Sequence, residues 1–499
     1  MAKQDSARLA VEGGLVVAFD GERHGLMPGA TLVVEGDTVS YVGYHPPSAD
    51  VRVPAEGRLV IPGMINLEAC TYLDIQNFAT DSGHPNYFGP SGFNFAPTLA
   101  QLEQPAPPEP VDEKRARLGA AYGFMQALQG GATTVVGADY RGSYVDSQHG
   151  DLLAEVAAEL GVRAYLAPAY GAATHYVTEQ GGGDFYWDRE QGAKGLARNL
   201  EFARRLTKLR AANPEADVHA MLFPYRADAM NESLLRDTKA AASEAGLRIR
   251  MHAAQFLMEY YEQVRRTAES PIEFLHRVGF LGPEVLLHHT ILTAEHSWIP
   301  RTDGRDIELL AETGTSVGHC PTIFARRAVM LESFDRHLRA GVNIGLGTDT
   351  VPQDMFMVMR WAAALCKIAE RNVNVGTAPQ VFHAATVAGA DALGRSDLGR
   401  LRPGSKADFV IVRIDSLRSG PIEDPLRNLI NCCTSADIES VWIGGRKVVD
   451  RGRIVGVDEV PIMNAMRDEI DRKRARLASS PTGDRFPPSL PVWEELPSP

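Results

Sequence analysis

The chain is short of cysteine, of basic runs and of long apolar stretches, and each shortage removes a class of protein. Its 499 residues hold 5 cysteines, of which only Cys432 and Cys433 lie close together. A scattered, odd set with no CxxC pair is neither a disulfide framework nor a structural zinc module. No polybasic run occurs, the formal charge is −12 and the pI is about 5.7. Nucleic-acid binding needs a basic footprint, so no such partner is expected. No stretch approaches the ~18 continuous apolar residues of a membrane span. The opening MAKQDSARLAVEGG has no apolar secretory core. No Gly-rich dinucleotide fingerprint follows any predicted strand. The expectation is a reduced, cytoplasmic enzyme acting on a small-molecule substrate, with no membrane partner, assembled as a homodimer or higher homo-oligomer.

What is present is ordinary in bulk and ordered in pattern. Hydrophobic residues make up 44% and charged residues 23%, the balance of a globular enzyme. Residues about 9–61 carry short β-like runs, LVVAF, ATLVVEGDTVSYVGY and GRLVI, punctuated by turns. The stretch Leu59–Leu73, LVIPGMINLEACTYL, is the seam to a second unit. Residues 74–112 follow, rich in Gly, Pro, Asn and aromatics. Loops of that length are usually functional or disordered, and Tyr87, Phe88, Phe93 and Phe95 favour an ordered lid over a floppy linker. From 113 onward helical and strand patterns alternate. Counted from MINLEA, there are eight short apolar strands: ATTVVGA, VRAYLAPAY, VHAMLFPY, LRIRMHA, EVLLHH, TSVGHCP and VNIGLGTD complete the set. Eight such units predict a (β/α)8 barrel. Strand character returns in LGRLRPGSKADFVIVRID and ESVWIGGRKVVDRGRIVGV. The expected organisation is α/β: a small β-sandwich from residues 1–61 plus 400–460, a barrel over 62–399, and a C-terminal helix with a Pro-rich tail over 461–499.

Polar residues at the C-terminal ends of barrel strands are the catalytic candidates. Here His252 ends LRIRMH, His289 ends EVLLHH beside His288, His319 follows TSVG, and Asp349 ends IGLGTD. One histidine in an apolar setting is most simply a packed core residue. Three histidines and an aspartate closing four consecutive strands suit a metal or acid/base site.

These blocks resemble the amidohydrolase superfamily, in its cytosine deaminase, guanine deaminase and triazine chlorohydrolase branch. LVIPGMIN, GGATTVV, MHAAQ, GFLGPEVLLHHTILTAE, LLAETGTSVGHCPT, LRAGVNIGLGTDT, ATVAGADALG and LGRLRPGSKADFVIV match its successive blocks in order. The resemblance implies that His252 is a metal ligand. It implies that Asp349 binds metal and shuttles the proton of the attacking water. It implies that His289 polarises the substrate or ligates, and places His319 near the site.

Two departures stand out. The family places His-X-His at the end of strand one, where this chain has Glu68, Ala69 and Cys70. A carboxylate and a thiolate both bind Zn2+, so Glu68 and Cys70 are the expected substitutes. Deaminases of this branch usually carry a Glu three residues after the strand-five His. Here it is Gln255, and an amide cannot shuttle a proton. This favours an acyclic amide or urea over a ring amine. Strand four, VHAMLFPY, has no Lys to bridge two metals, so one divalent ion, Zn2+, is expected.

The expected function is therefore metal-dependent hydrolysis of a non-peptide C–N bond, of amide or urea type, in an apolar or aromatic organic substrate, with secondary metabolism as its setting. The alternatives are a heteroaromatic aminohydrolase or chlorohydrolase, and a metal-free binding protein. Arg326 and Arg327 are candidates to meet a substrate carboxylate, and Trp298 to line the pocket. His84, His219, His296 and His383 are expected outside the site, and Cys432 and Cys433 in the returning β unit.

Overall fold

The computed structural model describes residues 7–73, 97–104, 112–138, 147–178, 183–301 and 303–478. The lid expected from the aromatics at 87–95, His84 and the Pro-rich tail beyond 478 lie outside the described residues.

Five strands open the chain: β1 Arg8–Phe19, β2 His24–Glu35, β3 Thr38–Gly43, β4 Val51–Pro54 and β5 Arg58–Pro62. The next set is β6 Met64–Cys70, β7 Ala132–Ala138, β8 Arg163–Leu166, β9 Ala169–Tyr170, β10 Ala173–Val177, β11 Gly183–Trp187, β12 Val218–Pro224, β13 Arg248–Ala253, β14 Val285–His289, β15 Ser316–His319 and β16 Ile344–Leu346. The last four are β17 Phe409–Arg413, β18 Ile438–Ile443, β19 Arg446–Asp450 and β20 Arg453–Ile454.

The two chain ends build one continuous sheet, in the order β20-β19-β18-β17-β5-β1-β2-β3, with β4 pairing β1. Its two-residue alternation decides what each face covers. Val60, Phe409 and Ile411 face a core of the sheet's own, with Val11, Leu32, Val34 and Trp442. Their neighbours Leu59, Ile61, Val410 and Val412 face the other way, onto the core shared with the barrel helices. Trp442 stacks on Phe409 at 5.3 Å.

β6, β7, β8, β12, β13, β14, β15 and β16 pair in parallel and in sequence order. The ring closes where Ala69 of β6 bridges to Asp349 just beyond β16. There Asp349 donates its N–H to the Glu68 carbonyl at 2.8 Å, and Cys70 donates to the Asp349 carbonyl at 2.9 Å. Helices return the chain between strands, among them Glu113–Gln129, Arg189–Ala212, Glu232–Ala245, Asp306–Thr313 and Phe334–Ala340. Asp112, Asn231 and Ser333 cap three of them with side-chain oxygens. Among the described residues no helix is long and apolar enough to cross a membrane.

Local chemistry sets three departures from the simple pattern. The run VRAYLAPAY is one strand by composition but two in space, because Pro168 has no N–H to continue the ladder. The hairpin β10–β11 was not anticipated, although THYV and DFYW alternate as strands do. Two helices, Leu257–Thr267 and Pro271–Arg277, stand between β13 and β14 where simple alternation has one.

One buried ion-pair set ties the barrel to the sheet. Arg163, at the start of β8, is wholly buried and donates to Asp217 and to Asp408, which precedes β17.

Candidate active site

The strand ends bend where the functional side chains stand. His289, Thr290, Ala254 and Asp349 all have positive φ, at 74°, 45°, 53° and 61°. Non-glycine residues seldom take this conformation, and where they do it commonly marks a site. In His289 the turn redirects a side chain that would otherwise alternate away from His288.

The result is two layers. In the upper one, the rings of His252 and His289 lie parallel, 5.0 Å between centres and 5° apart. Asp349 Oδ2 is 4.0 Å from His289 Nε2. His252 Nδ1 donates to the Tyr225 carbonyl at 2.9 Å, which turns Nε2 inward. That nitrogen lies 3.5 Å from Glu68 Oε1. Both nitrogens of His289 are buried and, among the described residues, have no hydrogen-bond partner.

The lower layer holds Glu68, Arg250 and His288, each fully buried. Arg250 donates to Glu68 Oε2, and its other terminal nitrogen donates to the Gly137 carbonyl at 2.8 Å. Its guanidinium lies over the Phe223 ring, 4.2 Å from the centroid. His288 Nδ1 is 2.6 Å from Glu68 Oε2. Gly347 permits this crowding, since a Cβ there would stand 2.8 Å from the Glu68 nitrogen and 3.1 Å from the Cys320 sulfur.

The charges follow from these contacts. Burial alone would raise the Glu68 carboxyl, but Arg250 and His288 outweigh it and hold the group well below the usual carboxylate range. Burial pushes His252 down, pushes His288 to about 4 and pushes His289 well below its ordinary value. Burial thus favours the neutral form in all three imidazoles. Burial, reinforced by Asp349 and Glu68, keeps the Cys320 thiol protonated.

An aromatic wall rises from the upper layer. Phe324 packs on His289 at 4.8 Å, and Phe256 packs on Phe324 at 6.0 Å. Arg327 lies over both rings, 5.6 Å from Phe256 and 5.3 Å from Phe324. Arg226, paired to Asp228 through 2.6 and 2.7 Å bonds, lies 6.0 Å from the centroid of the Phe256 ring. Glu259 accepts the N–H groups of Ala254 and Gln255 at 2.8 and 2.7 Å, fixing the turn after His252. Burial and Asp228 raise its carboxyl to about 7.

The structure thus brings His252, His289, Asp349 and Glu68 together. Cys70 is at the same strand end, fully buried, with its carbonyl accepting from Gln353 at 2.6 Å. His319 is not brought in. Gly318 is the inward residue of β15, so His319 faces out and its ring lies 6.3 Å from Phe334 on the surrounding helix layer. Arg326 donates to the Val351 carbonyl at 2.9 Å. His219 stacks on Tyr165 at 4.6 Å, His296 bonds the Met330 carbonyl, and His383 lies by His24. Trp298 is 42% exposed, outside the wall. Arg250, Phe324 and Glu259 were not singled out from the sequence. Arg250 was legible, because a residue two before His252 on a strand shares its face.

The donor set, neutral imidazoles beside carboxylates and a buried thiol, suits a divalent ion of the zinc type. Among the described residues, however, no three His, Cys, Asp or Glu side chains are already spaced to grip one ion together.

The fold is that of a hydrolase barrel, and the family model described as "Amidohydrolase family" matches residues 77–448. The chain belongs to the amidohydrolase family and is a hydrolase acting on carbon–nitrogen bonds other than peptide bonds. It is similar to the 5-methylthioadenosine/S-adenosylhomocysteine deaminase of Thermococcus kodakarensis, 28% identical over 80% of this chain and 84% of that protein. It is also similar to the 5'-deoxyadenosine deaminase of Methanosarcina mazei, 25% identical over 95% of this chain and 100% of that one. Among solved structures, an adenosine deaminase from Xanthomonas campestris with bound zinc superposes with a TM-score of 0.72 at 21% identity, covering 94% of this chain and 99% of the other. An atrazine chlorohydrolase from Arthrobacter aurescens complexed with zinc gives 0.73 at 21% identity, covering 93% and 100%. At these identities the two structures speak for the fold.

Proposed function

We propose that this enzyme hydrolyses an amide- or urea-type C–N bond in a small, largely apolar or aromatic substrate, with water activated at one divalent ion. The observation that carries this reading is the convergence of His252, His289 and Asp349 at the barrel mouth, with stacked imidazoles 5.0 Å apart and the carboxylate 4.0 Å from His289. His252, His289 and Asp349 would hold the ion, with Glu68 or Cys70 of β6 completing the set. Zinc, the metal of both crystal structures named above, is the ion of choice. When bound, such an ion lowers the pKa of water and polarises the scissile group.

The chain's own residues do the rest. Asp349 accepts the proton of the water whose hydroxyl bonds to the substrate carbon. It returns that proton to the nitrogen as the C–N bond breaks. His289, neutral in its buried setting, steadies the oxygen on which charge develops. The wall of Phe324 and Phe256 offers a flat apolar face to the substrate, and Arg327 an edge of positive charge.

A second reading is an aminohydrolase that releases ammonia from a nitrogen heterocycle. The names of the relatives favour it, and nucleosides and triazines are its first candidates. Gln255 counts against it, because its amide stands where a proton-carrying carboxylate would be expected. Nothing in the site supports secondary metabolism in particular.

A substrate panel separates the two readings. Ammonia release is measured from adenosine-type nucleosides, cytosine, guanine and triazines, beside hydrolysis of aryl amides and ureas. Turnover confined to the amides and ureas supports the first reading. Turnover confined to the ring amines replaces it with the second.

A further inference from the structure

One buried carboxylate holds the end of β13 from behind. Glu259 stands in the first turn of the helix Leu257–Thr267 and is wholly inaccessible. Its Oε1 accepts the Ala254 N–H at 2.8 Å, and its Oε2 accepts the Gln255 N–H at 2.7 Å. Burying a carboxylate is costly unless its oxygens are satisfied. Nearby Arg226 gives its two bonds to Asp228, so among the described residues Glu259 is satisfied by these two backbone donors. Both lie ahead of the helix, whose N-cap is Phe256. The carboxylate thus serves the strand end before the helix.

Ala254 is the hub of this strand end. Its φ of 53° is a left-handed conformation that strains an alanine and suits a glycine. Its N–H goes to Glu259, and its carbonyl accepts the Ile291 N–H at 2.9 Å and the Leu292 N–H at 2.8 Å. The carbonyl before it, of Ala253, accepts the Thr290 N–H at 3.1 Å. His289 and Thr290 form the second strained turn, with φ of 74° and 45°. The turn that aims His289 is therefore bonded to the very peptide that Glu259 holds. Strained conformations of this kind persist only where their surroundings over-determine them, and here the two turns lean on one carboxylate.

We infer that Glu259 is a positioning residue for His289: it holds Ala254 in the left-handed turn, and the Ala254 carbonyl passes that hold to the turn from which the His289 ring is aimed. The inference rests on the reading above that His289 works in the chemistry, and adds the helix residue that sets its aim. The chemistry of the clip asks for a carboxylate. Two backbone donors need two acceptor oxygens, whereas a glutamine amide offers one oxygen and turns an NH2 toward the second donor. A glycine at 254 would take the turn unaided.

The test begins with amide hydrogen exchange of the full chain, which needs no substrate, in the parent and in Glu259→Gln, with circular dichroism as a check on folding. Exchange is expected to speed by about tenfold or more at Ala254 and Gln255 and, together with them, at Thr290, Ile291 and Leu292. The distant helix Glu232–Ala245 is expected to exchange as in the parent. On the substrate that the panel identifies, Glu259→Gln is expected to lower kcat by about 10–100-fold with KM changed less than about threefold. Adding Ala254→Gly to it is expected to recover most of that loss, because the turn then forms without the clip. If Glu259→Gln fails to fold, Glu259→Asp is read in the same way, since it keeps the charge but is one methylene too short to reach both N–H groups. Unchanged exchange at Thr290, Ile291 and Leu292, a folded variant with parental kcat, or a loss that Ala254→Gly leaves in place overturns the inference. Parental activity in His289→Asn overturns instead the reading on which it rests.

Discussion

His252 and His289 stack face to face across neighbouring strands, 5.0 Å between ring centres and 5° apart. The contact exists because His289 takes a φ of 74°, which swings its ring into line with a residue one strand away. Asp349, with a φ of 61°, completes the group from the other side of the barrel's closing seam.

Asp349 is the proton carrier in this account. Asp349→Asn keeps the shape and the backbone bonds to Glu68 and Cys70 but removes the base. The expected loss in kcat/KM is about 10²–10⁴-fold, with secondary structure unchanged. Steady-state kinetics on whichever substrate the panel identifies will check it, and near-parental activity would remove Asp349 from the mechanism.

The barrel should depend on the sheet for stability through one buried contact. Arg163 and Asp408 meet with both side chains almost wholly inaccessible, at 2% and 3% exposure. Asp408→Asn leaves a buried guanidinium short of one of its two carboxylates. The expected cost is roughly 3 kcal/mol, read as a lower midpoint in urea unfolding. A loss under about 0.5 kcal/mol would show that the sheet docks by its apolar face alone.

The strand-end pattern made much of this fold readable. Eight apolar runs alternating with helices imply the barrel, and His252, His289 and Asp349 stand out because each closes one of them. The remainder depended on facts that order along the chain does not carry. His319 ends its strand as the others do, but Gly318 holds the inward position, so parity sends the ring outward. Phe324, on the helix Pro321–Arg326 after β15, packs on His289 of β14, a contact that order along the chain does not show. Arg250 lies two residues before His252, on the same face, and period-two reasoning applied to charged residues finds it. Glu68 reads as a bare substitution until its partners on two other strands are known.

Stability should fall as pH rises through the acidic range, because of Asp306. Burial raises this carboxyl from 3.8 to about 7, against bonds from Ser270 and from the Ala294 N–H. Between those values the folded chain holds a proton that the unfolded chain has released. Stability from this group is therefore greatest below about pH 4 and declines until about pH 7. Asp306→Asn mimics the protonated form, so it should flatten this part of the profile and be at least as stable as the parent at pH 8. Chemical unfolding of both proteins from pH 5 to pH 8 tests it, and an unchanged slope in the variant would contradict it.

The most direct test of the central claim is elemental analysis of the purified protein paired with activity after chelation. The account predicts about one divalent ion per chain, zinc by preference, with activity lost on chelation, restored by the metal, and ion content reduced in His252→Asn. Full activity in a protein that carries no stoichiometric metal would contradict it.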